Sequence, residues 1–214
     1  MPVHPPLVIT AAVEGTLDQV VLQRLIEDAG GAMGPVHGRK GKNYLRKNIG
    51  AFNHAAKFTP WIVLVDLDQD ADCAPSLRQE WLQEPNPKME FRVAVHEVEA
   101  WLLGDRDRLA QFLRVSRSGI SAQPETLTRV KRDLVQLAAS SRRREIVEDL
   151  VPRPSSGRTV GPAYSSRLAE FVIDRTNGWR PQVAAKVCPS LDRLIKRLDR
   201  LAVAPRQNMV RRVD

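Results

Sequence analysis

Apolar residues follow two rhythms along this chain. Residues 7–13 and 61–65 are short unbroken runs, rich in β-branched side chains, as in strands buried on both faces. Elsewhere the apolar positions repeat at helical spacing: Leu17, Val20, Val21, Leu25 and Ile26 mark a helix over residues 17–28, which Gly30-Gly31 stops. A short strand is expected at 35–37, residues 49–56 lead into the run that begins at Trp61, and 91–95 make a further strand. Beyond Gly104 the pattern is helical throughout, at 106–113, 124–139, 163–175, 183–186 and 191–201, with a loop at 152–158 and a frayed tail after Pro205. The expected fold is α/β: a mostly parallel, Rossmann-like sheet flanked by helices over residues 1–104, then a helical, arginine-rich region over 105–214.

Three of these strands are followed at once by acids. Glu14 comes after the first, with Asp18 four residues on, in the first turn of the next helix. Asp66 and Asp68 close the run from Trp61; two apart on an extended backbone, they are expected to point the same way and share a cation. Glu97 and Glu99 follow the strand at 91–95, and either could face a site there. The ends of parallel strands lie along one edge, where doubly wound domains bind ligands, so these acids are expected to converge. Asp70 and Asp72 read as loop residues or as a cap for a helix near Leu77. His37, His54 and His96 stand singly without ligand spacing, and Trp101 and Leu102 read as core.

Charge sets the second half apart. Residues 1–104 hold 10 Lys and Arg against 13 Asp and Glu, and residues 105–214 hold 23 against 12, so the net charge of +8 and the pI near 10.0 come from the helical half. That surplus suits a polyanion, and nucleic acid, DNA or RNA, is the expected partner; the plainer alternative is a solvated arginine-rich surface. Arg142, Arg143, Arg144 and Arg158 are the candidate phosphate contacts. In the basic segment 38–47, Arg39, Lys40 and Lys42 are either solvated or set against phosphate. Cys73 and Cys188, far apart and without CxxC spacing, suggest neither a disulfide framework nor a zinc site. No apolar run reaches the roughly 20 residues of a membrane span, and the first residues lack the basic and apolar regions of a signal peptide, so a cytoplasmic protein is expected.

Glu14-x-x-x-Asp18, Asp66-x-Asp68 and the Glu97/Glu99 pair resemble the acidic motifs of a Toprim domain, most of all the variant in overcoming-lysogenization-defect nucleases. Through Val13-Glu14-Gly15, Val65-Asp66-Leu67-Asp68, Glu97-x-Glu99-Ala100-Trp101-Leu102 and Val160-Gly161-Pro162-Ala163-Tyr164, nearly the whole chain resembles a bacterial Toprim-like family of unknown function, the domain-of-unknown-function 4276 type. The resemblance implies a nuclease or nickase-like enzyme that processes phosphodiesters with Mg2+ (or Mn2+). Asp66 and Asp68 would be metal ligands, Glu14 a ligand or general acid/base, and Asp18 with Glu97 or Glu99 would complete a second site. It further implies defence against phage or plasmids, with a separately encoded ATPase as partner. The lysine that such nucleases use is not placed by the sequence.

The residue types suit that chemistry. Magnesium prefers carboxylate oxygens, and two such ions can activate a water and stabilise a leaving oxygen. A cation from Arg39, Lys40 or Lys42 could steady the transition state, while Tyr164 reads as a structural hydroxyl. The second reading keeps the scaffold without the chemistry: a catalytically inactive Toprim-like domain that binds nucleic acid or a partner ATPase. A receiver or small-molecule phosphotransfer domain fits less well, because the chain has no late strand ending in lysine, no Walker lysine and no Gly-rich dinucleotide fingerprint.

Overall fold

The computed structural model describes residues 5–68 and 71–210, with the backbone alone from 202 onward. Four strands, β1 (Val8–Val13), β2 (Ala32–Gly38), β3 (Trp61–Asp66) and β4 (Met89–Ala94), form one parallel sheet in the order β2-β1-β3-β4. Helices α1 (Thr16–Asp28), α2 (Lys42–Ala55) and α3 (Ala74–Trp81) lie on the three crossovers. The interior strands β1 and β3 are the two unbroken apolar runs of the sequence. β1 is buried from Ile9 to Val13 and β3 along its whole length, so neither strand alternates apolar with polar residues.

Edge strand β2 is longer than the expected 35–37 and only half-buried. An edge tolerates Pro35, which has no N–H to give to a ladder. The strand ends at Gly38, where φ is +91° and a Cβ would lie 2.2 Å from the Val13 carbonyl oxygen, so only glycine fits.

The chain folds into two compact units. One comprises residues 1–65, 73–93 and 193–214. Within it, Trp61 stacks on both Phe52 and His37 with ring centroids 5.1 Å apart, and Arg197 pairs with Glu90 of β4 at 2.5 Å.

The other unit comprises residues 66–72 and 94–192. It holds α4 (Glu99–Gly104), α5 (Arg106–Leu113), α6 (Val130–Ala139), α7 (Arg144–Leu150), α8 (Tyr164–Ile173), α9 (Pro181–Ala184) and the first residues of α10 (Pro189–Val210). Trp101, Trp179 and Phe171 are its largest fully buried side chains. Both indole N–H groups are satisfied: Trp101 donates to Ser190 Oγ at 2.8 Å and Trp179 to the Trp101 carbonyl at 3.0 Å.

Three expectations change. Residues 124–139 are not one helix, because a 3-10 turn at Pro124–Thr126 gives way to extended backbone at Leu127 before α6 begins. The arginine run 142–144 leads directly into α7, which was not anticipated. The backbone of α10 stays helical to Val210, beyond the expected fraying point. No described helix is long and apolar enough to cross a membrane.

Candidate functional site

Asp66, the last residue of β3, is buried, and its Oδ1 accepts the Val98 N–H at 3.0 Å, just ahead of α4. The chain then leaves the strand. Leu67 N–H donates to the Ala94 carbonyl and Asp68 N–H to the His96 carbonyl, both at 2.9 Å, which ties together the loops after β3 and β4. Asp68 and His96 have φ of +50° and +62°. For residues other than glycine such left-handed backbone costs on the order of 1 kcal/mol each. The extended alternation expected to align Asp68 with Asp66 therefore ends at Leu67; Asp66 points into the protein, whereas Asp68 lines a cleft.

Lys131, in the first turn of α6, joins the remaining acids. Its Nζ lies 3.1 Å from Glu97 Oε1, 3.7 Å from Glu99 Oε1 and 3.9 Å from Asp66 Oδ2. Its backbone N–H, one of the donors that a helix start leaves without an internal partner, reaches Glu97 Oε2 at 2.7 Å. Glu97 thus caps α6 although it lies 34 residues earlier. Tyr164, the first residue of α8, donates its hydroxyl to Glu99 Oε1 at 3.3 Å. Just before α8, Gly161 packs against the end of α7, where a Cβ would fall 2.3 Å from the Asp149 carbonyl oxygen.

The carboxylates are sunk and the ammonium reaches them from the open side. Side-chain exposure is 1% for Glu99, 8% for Asp66, 15% for Glu97 and 44% for Lys131. Burial by itself would lower the Lys131 pKa, but the charges of Glu99, Asp66 and Glu97 and the hydrogen bond to Glu97 outweigh it and hold the ammonium above its ordinary range. Tyr164 is pushed well above the usual phenol range, first by burial and then by Glu99, Glu97 and Asp66. It is a neutral donor at ordinary pH and unsuited to act as a nucleophile.

Of these groups, Glu97 and Lys131 border a cleft of about 610 Å³. The acids Asp68 and Glu97, the imidazole of His96 and the cations Arg129, Lys131 and Arg132 all line it. Thr128 and Thr159 contribute to the rim. Such a cleft offers cations for a phosphate and acids beside it.

The structure brings Asp66, Glu97 and Glu99 together, and both members of the glutamate pair face the same ammonium. Glu14 and Asp18 belong to the sheet-bearing unit; Glu14 follows β1, and Asp18 Oδ2 accepts the Gly15 N–H at 2.6 Å as a cap of α1. Arg39 and Lys40 are exposed in that unit, Lys40 lies 5.2 Å from the Tyr44 ring centroid, and half-buried Lys42 begins α2. Arg144 is paired with Glu148 at 2.6 Å, and exposed Arg158 precedes Thr159 of the cleft. Arg142 and Arg143 line a different cleft. Asp70 lies outside the described residues.

Sequence reasoning missed Lys131, Arg129 and Arg132. A signal was present: Arg129-Val130-Lys131-Arg132 puts three cations at a helix start, the end where the helix dipole disfavours them. Cations placed there need a partner, and three carboxylates supply it for Lys131.

The donor set suits a divalent cation in kind, since all three side chains offer hard carboxylate oxygens and together exceed the ammonium by two negative charges. Among the described residues, no three His, Cys, Asp or Glu side chains are grouped as a metal centre. The Lys131 ammonium stands within 4 Å of all three acids.

A family model described as a domain of unknown function (DUF4276) matches residues 10–199. No curated protein and no solved structure matches the chain.

Proposed function

We propose, on the premise that the chain belongs to the DUF4276 family, that it is a metal-dependent phosphodiester-processing enzyme, nuclease or nickase-like, acting on nucleic acid. The observation that carries this reading is the cleft that Asp68 and Glu97 share with Arg129, Lys131 and Arg132, with the buried carboxylates of Asp66 and Glu99 within 4 Å of the Lys131 ammonium. Asp66, Glu97 and Glu99 would hold Mg2+ or Mn2+, with Asp68 at the cleft wall. Such an ion, when bound, supplies an activated water and neutralises phosphate charge. Arg129 and Arg132 would orient the phosphate, and the planar guanidinium suits its oxygens. Tyr164 positions Glu99 through its hydroxyl.

The roles of Glu14 and Asp18 rest on the Toprim resemblance alone. The same resemblance supports a separately encoded ATPase partner and a part in defence against phage or plasmids, while a cytoplasmic setting is proposed from the first residues' lack of signal-peptide regions. The basic second half supports a polyanionic substrate.

One observation favours the alternative of an inactive scaffold that binds nucleic acid or an ATPase. An ammonium already stands among the three carboxylates, where an added cation would have to compete with it. Incubating the protein with supercoiled plasmid, single-stranded DNA and RNA, with and without Mg2+ or Mn2+, separates the two. The enzyme reading expects metal-dependent nicking or cleavage that Asp66→Ala and Glu99→Gln abolish while binding persists. Binding without cleavage of any of the three would replace it with the scaffold.

A further inference from the structure

The helical unit contains a second cleft, of about 770 Å³, bordered by α5, the 3-10 turn Arg117–Gly119 and the residues leading into α7. Four guanidinium-bearing residues line it, Arg114, Arg117, Arg142 and Arg143, against a single acid, Asp107. Asp107 is paired with Arg117. Among the described residues no carboxylate pairs with Arg114, Arg142 or Arg143, whereas the neighbouring Arg144 is neutralised by Glu148.

The fold holds these like charges around one space. Arg142 N–H donates to the Arg114 carbonyl at 3.4 Å and Ser141 Oγ to the Leu113 carbonyl at 2.5 Å, so a backbone bond and the Ser141 hydroxyl join the two arginine-bearing segments, while Arg143 N–H donates to Ser141 Oγ at 3.0 Å. Arg114 ends α5 with φ of +55°, at a position where glycine is the unstrained choice.

We infer that this cleft binds the sugar–phosphate backbone of a nucleic acid without regard to sequence; the choice of nucleic acid as the polyanion rests on the function proposed above. Clustered guanidiniums need several anions in a row, which successive phosphates supply and one base edge does not. The lining has no aromatic ring, so it offers no stacking platform for bases. The cleft adds Arg114 to the phosphate contacts expected from sequence and sets Arg144 aside, as Glu148 neutralises it.

The test is fluorescence anisotropy with labelled duplexes of two unrelated sequences at several salt concentrations. It compares the wild type, the triple variant Arg114→Gln/Arg142→Gln/Arg143→Gln, and the control Arg144→Gln. All three arginines are exposed, so the triple variant should keep the wild-type circular dichroism. Three lost contacts should flatten the slope of log K against log salt by about 2.7 and weaken binding about tenfold or more, equally for both duplexes, with the control unchanged. An unaltered slope in the triple variant, the same loss in Arg144→Gln, or no binding by the wild type overturns the inference. A wild type that binds through these arginines but never cuts removes the enzymatic reading and leaves the cleft assignment standing. One that cuts equally well, with an unaltered slope, after the triple substitution does the reverse.

Discussion

Glu97 holds Lys131 at both ends: one carboxylate oxygen takes the backbone N–H at 2.7 Å and the other the ammonium at 3.1 Å. The start of a helix and the charge balance of the acid cluster therefore depend on the same pair.

Lys131→Met keeps the backbone cap and removes the charge. It should lower stability by about 1–3 kcal/mol at neutral pH, less than a fully buried pair because the lysine side chain is 44% exposed. The folded-state pKa of Lys131 lies above its ordinary value, so its contribution is complete below the unfolded-state pKa of about 10.4 and is lost as pH rises beyond it. Urea titrations should show a wild-type advantage over Lys131→Met that is level from pH 7 to 9 and shrinks above about pH 10.4. An advantage that shrinks already near pH 8 would contradict this account.

Tyr164 is one of two tyrosines. Burial and the neighbouring carboxylates raise its pKa, so alkaline absorbance titration should show a tyrosine that ionises only as the protein unfolds, and Tyr164→Phe should remove that late component. Loss of its hydrogen bond to Glu99 should cost about 1 kcal/mol.

Gly161→Ala should destabilise far more than its size suggests. The added methyl would meet the Asp149 carbonyl oxygen at 2.3 Å and the Leu150 carbonyl carbon at 2.5 Å, both backbone atoms that cannot turn aside. A loss of about 2 kcal/mol or more, with Tyr164 displaced, is expected in urea denaturation.

The two cysteines should differ sharply toward a thiol reagent. Cys73 is exposed, whereas Cys188 is buried and burial pushes its thiol well up. One thiol per chain should react at once in the native protein and the second only after denaturation; Cys73→Ser should eliminate the fast phase.

What could be read from the sequence follows from how local each cause is. β1 and β3 were legible because burial on both faces leaves an unbroken apolar run, and Asp66 was legible because it ends such a run. The turn at Asp68 was not legible, because alternation holds only on extended backbone, whereas Asp68 has φ +50° and its N–H donates to the His96 carbonyl, 28 residues away. Lys131 was hidden for the same reason: its partners Asp66, at the end of β3, and Glu97 and Glu99, at the start of α4, come from far earlier in the chain. The break between Thr126 and α6 turns on backbone conformation at three residues, and the apolar periodicity runs straight across it.

The cap that Glu97 places on α6 also bears on how the gene can be divided. A scission after Gly104 would put Glu97, Glu99 and Asp66 on one polypeptide and Lys131 and Tyr164 on the other, so the second fragment would begin life with an uncapped helix and a stranded ammonium. Fragments split there and produced separately should each lack their fold and regain it only on mixing, as in a complementation pair.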